Sequence, residues 1–466
     1  MWDNLRRWNQ IAIDATGFDH TPVAPGEART FGEQLGPGRA SRAMAIIHIA
    51  MFDVMNAIRP EYESFTNVER PAGDVALNAA IAQAAHDTLV ALFPSQRAKF
   101  DQFLTQDLNI TAQNQARENA ITLGKAAAAA ILAQRAGDGV EVAEPRVGTE
   151  HPTSNMPGHW RQDPISQVPL ALGAYWGGCR PFVLTSGSQF RLGPPPAMTS
   201  PEYAAAYDEV KRLGGDGIST PTQRTPEQTF IGTFWAYDGT PSLCAPPRLY
   251  NQIAMRLANQ NRVNGLRLAR LLALLNVAMA DSGIASWDSK YYWDVWRPIT
   301  GIRESDVGTG PSGLGDGNPY TVGDPGFHPL GAPASNAQGP NFTPPFPAYP
   351  SGHATFGGAI FQVLRRFFAT DNMPFTFVSD EFNGSTRAND GTVRPLIPRH
   401  FDTFSQAEYE NAVSRIYLGI HWIFDATEGI KLGRQVADYV YDNVCRPLNT
   451  PQPPPSVLDP PNITRD

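Results

Sequence analysis

Ser41–Ile58 reads SRAMAIIHIAMFDVMNAI, and this stretch decides the fold class. It is strongly apolar, as a helix at the centre of a protein is. Such a helix needs other helices around it, and helical patterning recurs in both directions. The spacing predicts helices over Leu77–Phe93 and Ala112–Arg135, the second rich in the strong helix former Ala. Further helices are expected at Glu202–Leu213, Pro226–Tyr237, Pro247–Ala258, Asn264 to about Trp296, Gly352–Phe368, Gln406–Leu418 and His421–Tyr441. No convincing run of strands and no fixed-period repeat interrupts them. The expectation is an all-α protein of two packed helix bundles. Residues 1–225 would be mainly scaffold, and residues 226–466 would carry the functional site. The connections Val147–Pro201 and Glu304–Pro350 are rich in Gly and Pro, and they are expected to lie as long loops over that site. The Pro-rich tail from Pro447 is expected to be extended.

Composition narrows the function classes. Hydrophobic residues are 42% and charged residues 18% of the 466, so the chain reads as globular and soluble, with enough length for one large core or two. The net charge of −8 gives no footprint for nucleic acid or an anionic membrane. A site for an anion must therefore be a local cluster of cations. Cys179, Cys244 and Cys445 are far apart and odd in number, which argues against a disulfide framework and a thiolate metal site. One disulfide plus a free thiol stays open. No apolar run reaches the length of a membrane span. The N-terminus is amphipathic and has no signal-peptide core. A trimmed chain would look the same, so the compartment stays open, secretion and the periplasm included.

Three short segments hold the unusual chemistry. The first runs from Lys290 to Arg297 and Pro298. Two cations seven residues apart share a helix face within roughly 20°, and Pro298 should end that helix near Arg297. Alone, such a pair fits a solvent-facing or carbonyl-capping role better. The second is Pro350-Ser351-Gly352-His353, with Ser351 as N-cap of an apolar helix. The free N–H groups of Gly352 and His353 then suit an anion, or simply mark a loop-to-helix junction. The third is Ser414-Arg415 through Gly419 and His421 to Asp425. Arg415 and His421 are six apart, so both face one site only if the helix breaks, and Gly419 is the place for it. Asp425, one turn on, can orient the His421 ring, or the two can form a surface pair. Taken together, three cations, a hydroxyl and two histidines suit a tetrahedral oxyanion such as phosphate or vanadate. No carboxylate cluster or Cys/His set offers a divalent-cation site.

The pattern Lys-x6-Arg-Pro, Pro-Ser-Gly-His, Ser-Arg-x3-Gly-x-His-x3-Asp resembles the superfamily of vanadium haloperoxidases and type 2 phosphatidic acid phosphatases. Phe346–Gly358, Trp235–Gly239, Pro246–Gln252 and Arg399–Asp402 are similar to the fungal-type vanadium chloroperoxidases in particular. The likeness is dense from about Thr233 to Ala426. One departure is that Ala426-Thr-Glu-Gly runs directly into a helix where the fungal type carries a long insertion, which touches the pocket rim and not the site residues.

The resemblance implies a vanadate cofactor, bonded to vanadium through His421, with phosphate able to take its place. Lys290, Arg297 and Arg415 would neutralise its oxygens, and Ser351 and the Gly352 N–H would donate to it. His353 would handle protons, Asp238 would hold Arg415, and Lys290 would also hydrogen-bond the peroxide. Trp287 and Phe346 fall where halide preference is associated, and both match the chloroperoxidase type. The implied reaction is oxidation of bromide and chloride by hydrogen peroxide to hypohalous acid. A rival reading is a phosphohydrolase with His421 as nucleophile and His353 as acid. Another is a non-catalytic helical binding protein, which must treat the three blocks as coincidence. His48 and His86 read as satisfied core residues, and His400 is ambiguous. The organic acceptor and oligomeric state are not readable from the chain.

Overall fold

The protein is seen in a computed structural model that describes residues 3–449. The expected proline-rich tail therefore lies outside the described residues from Thr450 onward. The helices are α1 (Asn4–Asp19), α2 (Gly36–Ile58), α3 (Leu77–Leu92), α4 (Arg97–Asn109), α5 (Gln115–Gln134) and α6 (Pro201–Leu213). They continue with α7 (Pro226–Phe234), α8 (Pro246–Gln260), α9 (Gly265–Trp293), α10 (Pro298–Arg303), α11 (Gly352–Phe368), α12 (Phe404–Tyr417) and α13 (Ile423–Asn443). The fold is helix-dominated, as its sequence patterning requires.

Two helices organise the rest. α2 is buried almost throughout, and α9 is buried on every face from Leu268 to Trp287. They pack on each other, and α9 also packs on α11 and α13. Burying each large aliphatic side chain of the Leu271–Ala280 run contributes about 1.5–3 kcal/mol, so the axis of α9 is fixed strongly. Both helices are long and apolar enough to cross a membrane, but they are spent on the core. One cluster of buried apolar side chains runs through both halves of the chain.

Several expectations need correction. α1 and α4 were not expected. α1 does carry an apolar stripe, Leu5, Trp8, Ala12 and Ala15, but it is interrupted by buried Asn4, Asn9 and Asp19, and α4 buries only Phe100 and Asp107. Strands do occur: β1 (Phe375–Asn383) pairs antiparallel with β2 (Leu396–Phe401), from Phe375 opposite Phe401 to Asn383 opposite Leu396. The inward positions of β1 are Phe375, Phe377, Ser379 and Glu381, and the last two are polar, which hides the alternation. Buried Glu381 is matched by Arg394 and by the Ser335 hydroxyl at 2.6 Å. Cys179, Cys244 and Cys445 are all buried and free, so the disulfide left open does not form. His48 is a satisfied core residue as expected, bonded to Met44 O and Asn9 Oδ1. His86 sits between Asp87 and Asp101, and His400 is exposed on β2.

Candidate active site

Lys290 lies in the last turn of α9, which stops at Trp293 because Asp294 turns into the left-handed region, φ 52°. Arg297 lies beyond it in extended backbone, φ −80° and ψ 157°, as the following Pro298 demands. The two cations therefore do not share one helix face, as the spacing suggested; one arrives from a helix and the other from a strap. The buried Lys290 ammonium donates to the carbonyls of Pro347 (2.9 Å), Ala348 (3.0 Å) and Pro350. These three bonds use all its hydrogens and pin the Pro-rich loop to α9. Burial and the neighbouring Arg297 push its pKa well below the ordinary lysine value, while three carbonyl acceptors favour the ammonium form.

Ser351 caps α11, its hydroxyl accepting from Ala354 N at 3.4 Å. At Gly352 a Cβ would press on the Trp287 ring at 3.2 Å, so glycine lets the indole close over the helix start. His353 Nε2 lies 2.5 Å from Ala236 O. A carbonyl can only accept, so Nε2 carries the hydrogen and Nδ1 keeps the lone pair. The His353 carbonyl is gripped by Tyr250 Oη and Asn411 Nδ2, both at 2.9 Å. The sequence reading passed over these two residues, although Tyr250 stood inside a quoted matching segment.

Arg415 lies in the last turn of α12, and Gly419 breaks the chain where the spacing required it. Its φ is +73°, and a Cβ there would meet Gly214 O at 2.5 Å. The break swings His421 back to Arg415's side, ahead of α13. His421 Nδ1 bonds Asp425 Oδ2 at 2.8 Å, and its Nε2 lies 2.9 Å from Arg297 Nη1. Guanidinium only donates, so Nε2 is the bare nitrogen and Nδ1–H points to Asp425. Burial, then the charges of Arg297, Lys290 and Arg415, hold this imidazole well below its usual pKa, hence neutral. Burial likewise raises Asp425, to about 7.

The remaining donors are informative. Arg297 Nε and Nη1 bond Phe346 O and Ile420 O, but its Nη2 has no partner. Arg415 bonds Asp238 Oδ1 through Nη2 at 2.6 Å, and its Nε and Nη1 have none. Both side chains are 1% exposed. Buried guanidinium N–H groups left unpaired cost free energy, so they mark a place for an anion.

Above this floor stands an apolar wall. The Trp287 and Phe346 ring centroids are 4.9 Å apart, and the indole N–H is spent on Leu172 O. Asp238, Trp287, Phe346, Gly352, His353, Arg415 and His421 line one cavity of about 440 Å³. Lys290, Arg297, Ser351 and Asp425 stand behind them. Its lining is completed by residues within 334–345, 166–172 and 35–37, from the Gly/Pro-rich connections and the start of α2.

Residues 270–450 match the family described as the VCPO second helical-bundle domain. Vanadium chloroperoxidase from Curvularia inaequalis is 31% identical over 496 aligned positions, which cover 90% of this chain and 78% of that protein. The chain belongs to the vanadium haloperoxidase family. The fold of this haloperoxidase is shared with a bacterial vanadium-dependent iodoperoxidase at TM-score 0.70 and 24% identity, covering 94% of this chain and 96% of that one. It is also shared with a holo bacterial vanadium-dependent chloroperoxidase at TM-score 0.65 and 18% identity, over 91% and 95%. A haloperoxidase oxidises halide with hydrogen peroxide.

Proposed function

We propose that this haloperoxidase holds vanadate on the floor of the cavity and oxidises bromide and chloride to hypohalous acid. The observation that carries the reading is that Arg297 and Arg415, each with buried N–H groups left unpaired, act on one imidazole, His421, whose Nε2 carries no hydrogen and is met by Arg297 Nη1. That donor set fits a tetrahedral oxyanion with one position open to a nitrogen ligand. Bound there, vanadate supplies a Lewis acid that activates hydrogen peroxide without changing its own oxidation state.

The protein's own residues do the rest. His421 offers Nε2 because Asp425 takes the other ring hydrogen. Arg297 and Arg415 neutralise the oxygens, and Asp238 keeps Arg415 aimed. Ser351 and the Gly352 N–H add donors at the start of α11. Lys290 holds the Pro347–Pro350 loop over the site and adds positive charge toward peroxide. His353 Nδ1 accepts a proton from peroxide and returns it to the departing oxygen. Trp287 and Phe346 form a dry wall against which even chloride sheds water. The N-terminal half acts mainly as scaffold and supplies part of the rim.

The test is vanadate-dependent halogenation of a phenolic acceptor with hydrogen peroxide and bromide or chloride. Turnover with both halides is expected, and phosphate should inhibit by competing for the floor. No turnover, with ready hydrolysis of phosphate esters, would contradict the proposal and favour attack by His421 on phosphorus.

A further inference from the structure

We infer that Glu381, which lies outside the three blocks that build the floor, is a positioning residue for His353 and acts on it through one peptide group. This rests on the proposed role of His353 as a proton acceptor.

Glu381 stands on β1 and is fully buried. Its carboxylate is divided between two tasks. Oε2 accepts from Ser335 Oγ at 2.6 Å and from Arg394 Nη1, which balances the charge. Oε1 accepts from Tyr237 N at 3.3 Å. Three donors face the group, which suits an ionised carboxylate. Tyr237 N belongs to the same peptide group as Ala236 O. That carbonyl takes the His353 Nε2 hydrogen at 2.5 Å. The order is therefore imidazole N–H, peptide C=O, peptide N–H, carboxylate. A hydrogen bond at one end of a peptide group polarises the other end, and burial strengthens the effect. A carboxylate on Tyr237 N thus makes Ala236 O a better acceptor. It keeps the hydrogen on His353 Nε2 and the lone pair on Nδ1, the form in which this ring can take a proton.

The surrounding contacts aim the same peptide. Tyr237 is held in the left-handed region, φ 46°, which costs free energy in a residue with a Cβ. Ser379 Oγ donates to Phe234 O and Asp380 N to Tyr237 Oη, both at 2.6 Å. Three consecutive residues of β1 therefore tie down the turn that carries Ala236. The ion pair with Arg394 accounts for one buried oxygen of Glu381. It does not account for the other, which meets the peptide that orients His353.

Glu381→Gln keeps the shape but offers one acceptor oxygen to both the Arg394 guanidinium and Tyr237 N–H. The guanidinium makes the stronger bond, so Tyr237 N–H loses its acceptor. In Glu381→Gln/Arg394→Leu the amide oxygen returns to Tyr237, and its NH2 faces the Ser335 hydroxyl. Nitrogen NMR of the vanadate-free protein labelled in histidine reads the tautomer, with His353 identified by its loss in His353→Ala. Nε2–H is expected in the wild type, a mixture in Glu381→Gln, and Nε2–H again in the double variant. In the vanadate-loaded enzyme, kcat for bromide should fall about tenfold in Glu381→Gln, a part of what general base catalysis supplies, and recover in the double variant. KM for bromide and vanadate affinity should change far less. The inference is overturned if Glu381→Gln keeps the wild-type tautomer and kcat, or if the double variant restores neither. Should Glu381→Gln not fold, Glu381→Leu/Arg394→Leu, which has no acceptor left, replaces it. Equal tautomer and kcat in the two double variants would then overturn the inference. Absence of bromide oxidation in the wild type would instead overturn the haloperoxidase reading, on which the tautomer measurement does not depend.

Discussion

At the scale of residues, the site is a set of decisions about where hydrogens sit. Asp425 gives His421 its tautomer, and Ala236 O gives His353 the opposite one. One ring thus leaves Nε2 without a hydrogen, and the other leaves Nδ1 without one. Asp425→Asn should weaken vanadate binding by about 10–100-fold, measured calorimetrically, because a weaker amide acceptor, able to turn its NH2 toward the ring, replaces the carboxyl group that fixes it. His353→Ala should lower turnover by about 10²–10⁴-fold and change vanadate affinity far less, which separates proton handling from binding. The side chains that meet around His421 were readable because an oxyanion site needs particular types at particular spacings, and the Asp238 and Asp425 contacts were readable with them. The backbone partners were not: Ala236, Phe346, Ile420 and Leu172 act through carbonyl oxygens, which leave no mark in the identity of a residue.

At the scale of elements, breaks matter as much as helices. α9 stops before Arg297 and α12 stops before His421, so these two residues are presented from straps between helices, while Lys290 and Arg415 come from the helices themselves. The second break was foreseen from Gly419 and the third block's spacing. The first was placed too late, because Asp294, a residue with no strong signal for φ > 0, ends α9. Gly419→Ala should cost about 1–3 kcal/mol in denaturant unfolding, since it combines a positive φ with contact on Gly214 O. The β1–β2 pair escaped notice because its inward face carries Ser379 and Glu381. Those same residues bond Phe234 O and Tyr237 N, and so support the loop that bears Ala236 and Asp238.

At the scale of the whole molecule, a net negative protein keeps a cationic floor under an apolar shaft, and the core that holds it has its own acid sensitivity. His48 is buried in α2, and burial lowers it to about 4. The unfolded imidazole protonates near 6.5, whereas the folded one resists until about 4. Its contribution is therefore complete above pH 6.5 and is lost as pH falls through that window, by roughly 3 kcal/mol. Urea unfolding at pH 7.5 and 4.5 should show a steeper acid loss in the wild type than in His48→Gln. The helical architecture was legible because long apolar runs such as Leu271–Ala280 admit few other fates. The cavity was not, because its lining is assembled from segments as distant as Leu35, Val168 and Phe342.

The central claim is that buried, unpaired guanidinium groups and the bare Nε2 of His421 form one vanadate site. Calorimetric titration of orthovanadate into the wild type and His421→Ala tests it most directly. One-site binding is expected in the wild type, displaced by phosphate, with loss of most of that affinity in the variant. Absence of binding in the wild type, or equal affinity in both proteins, would contradict it.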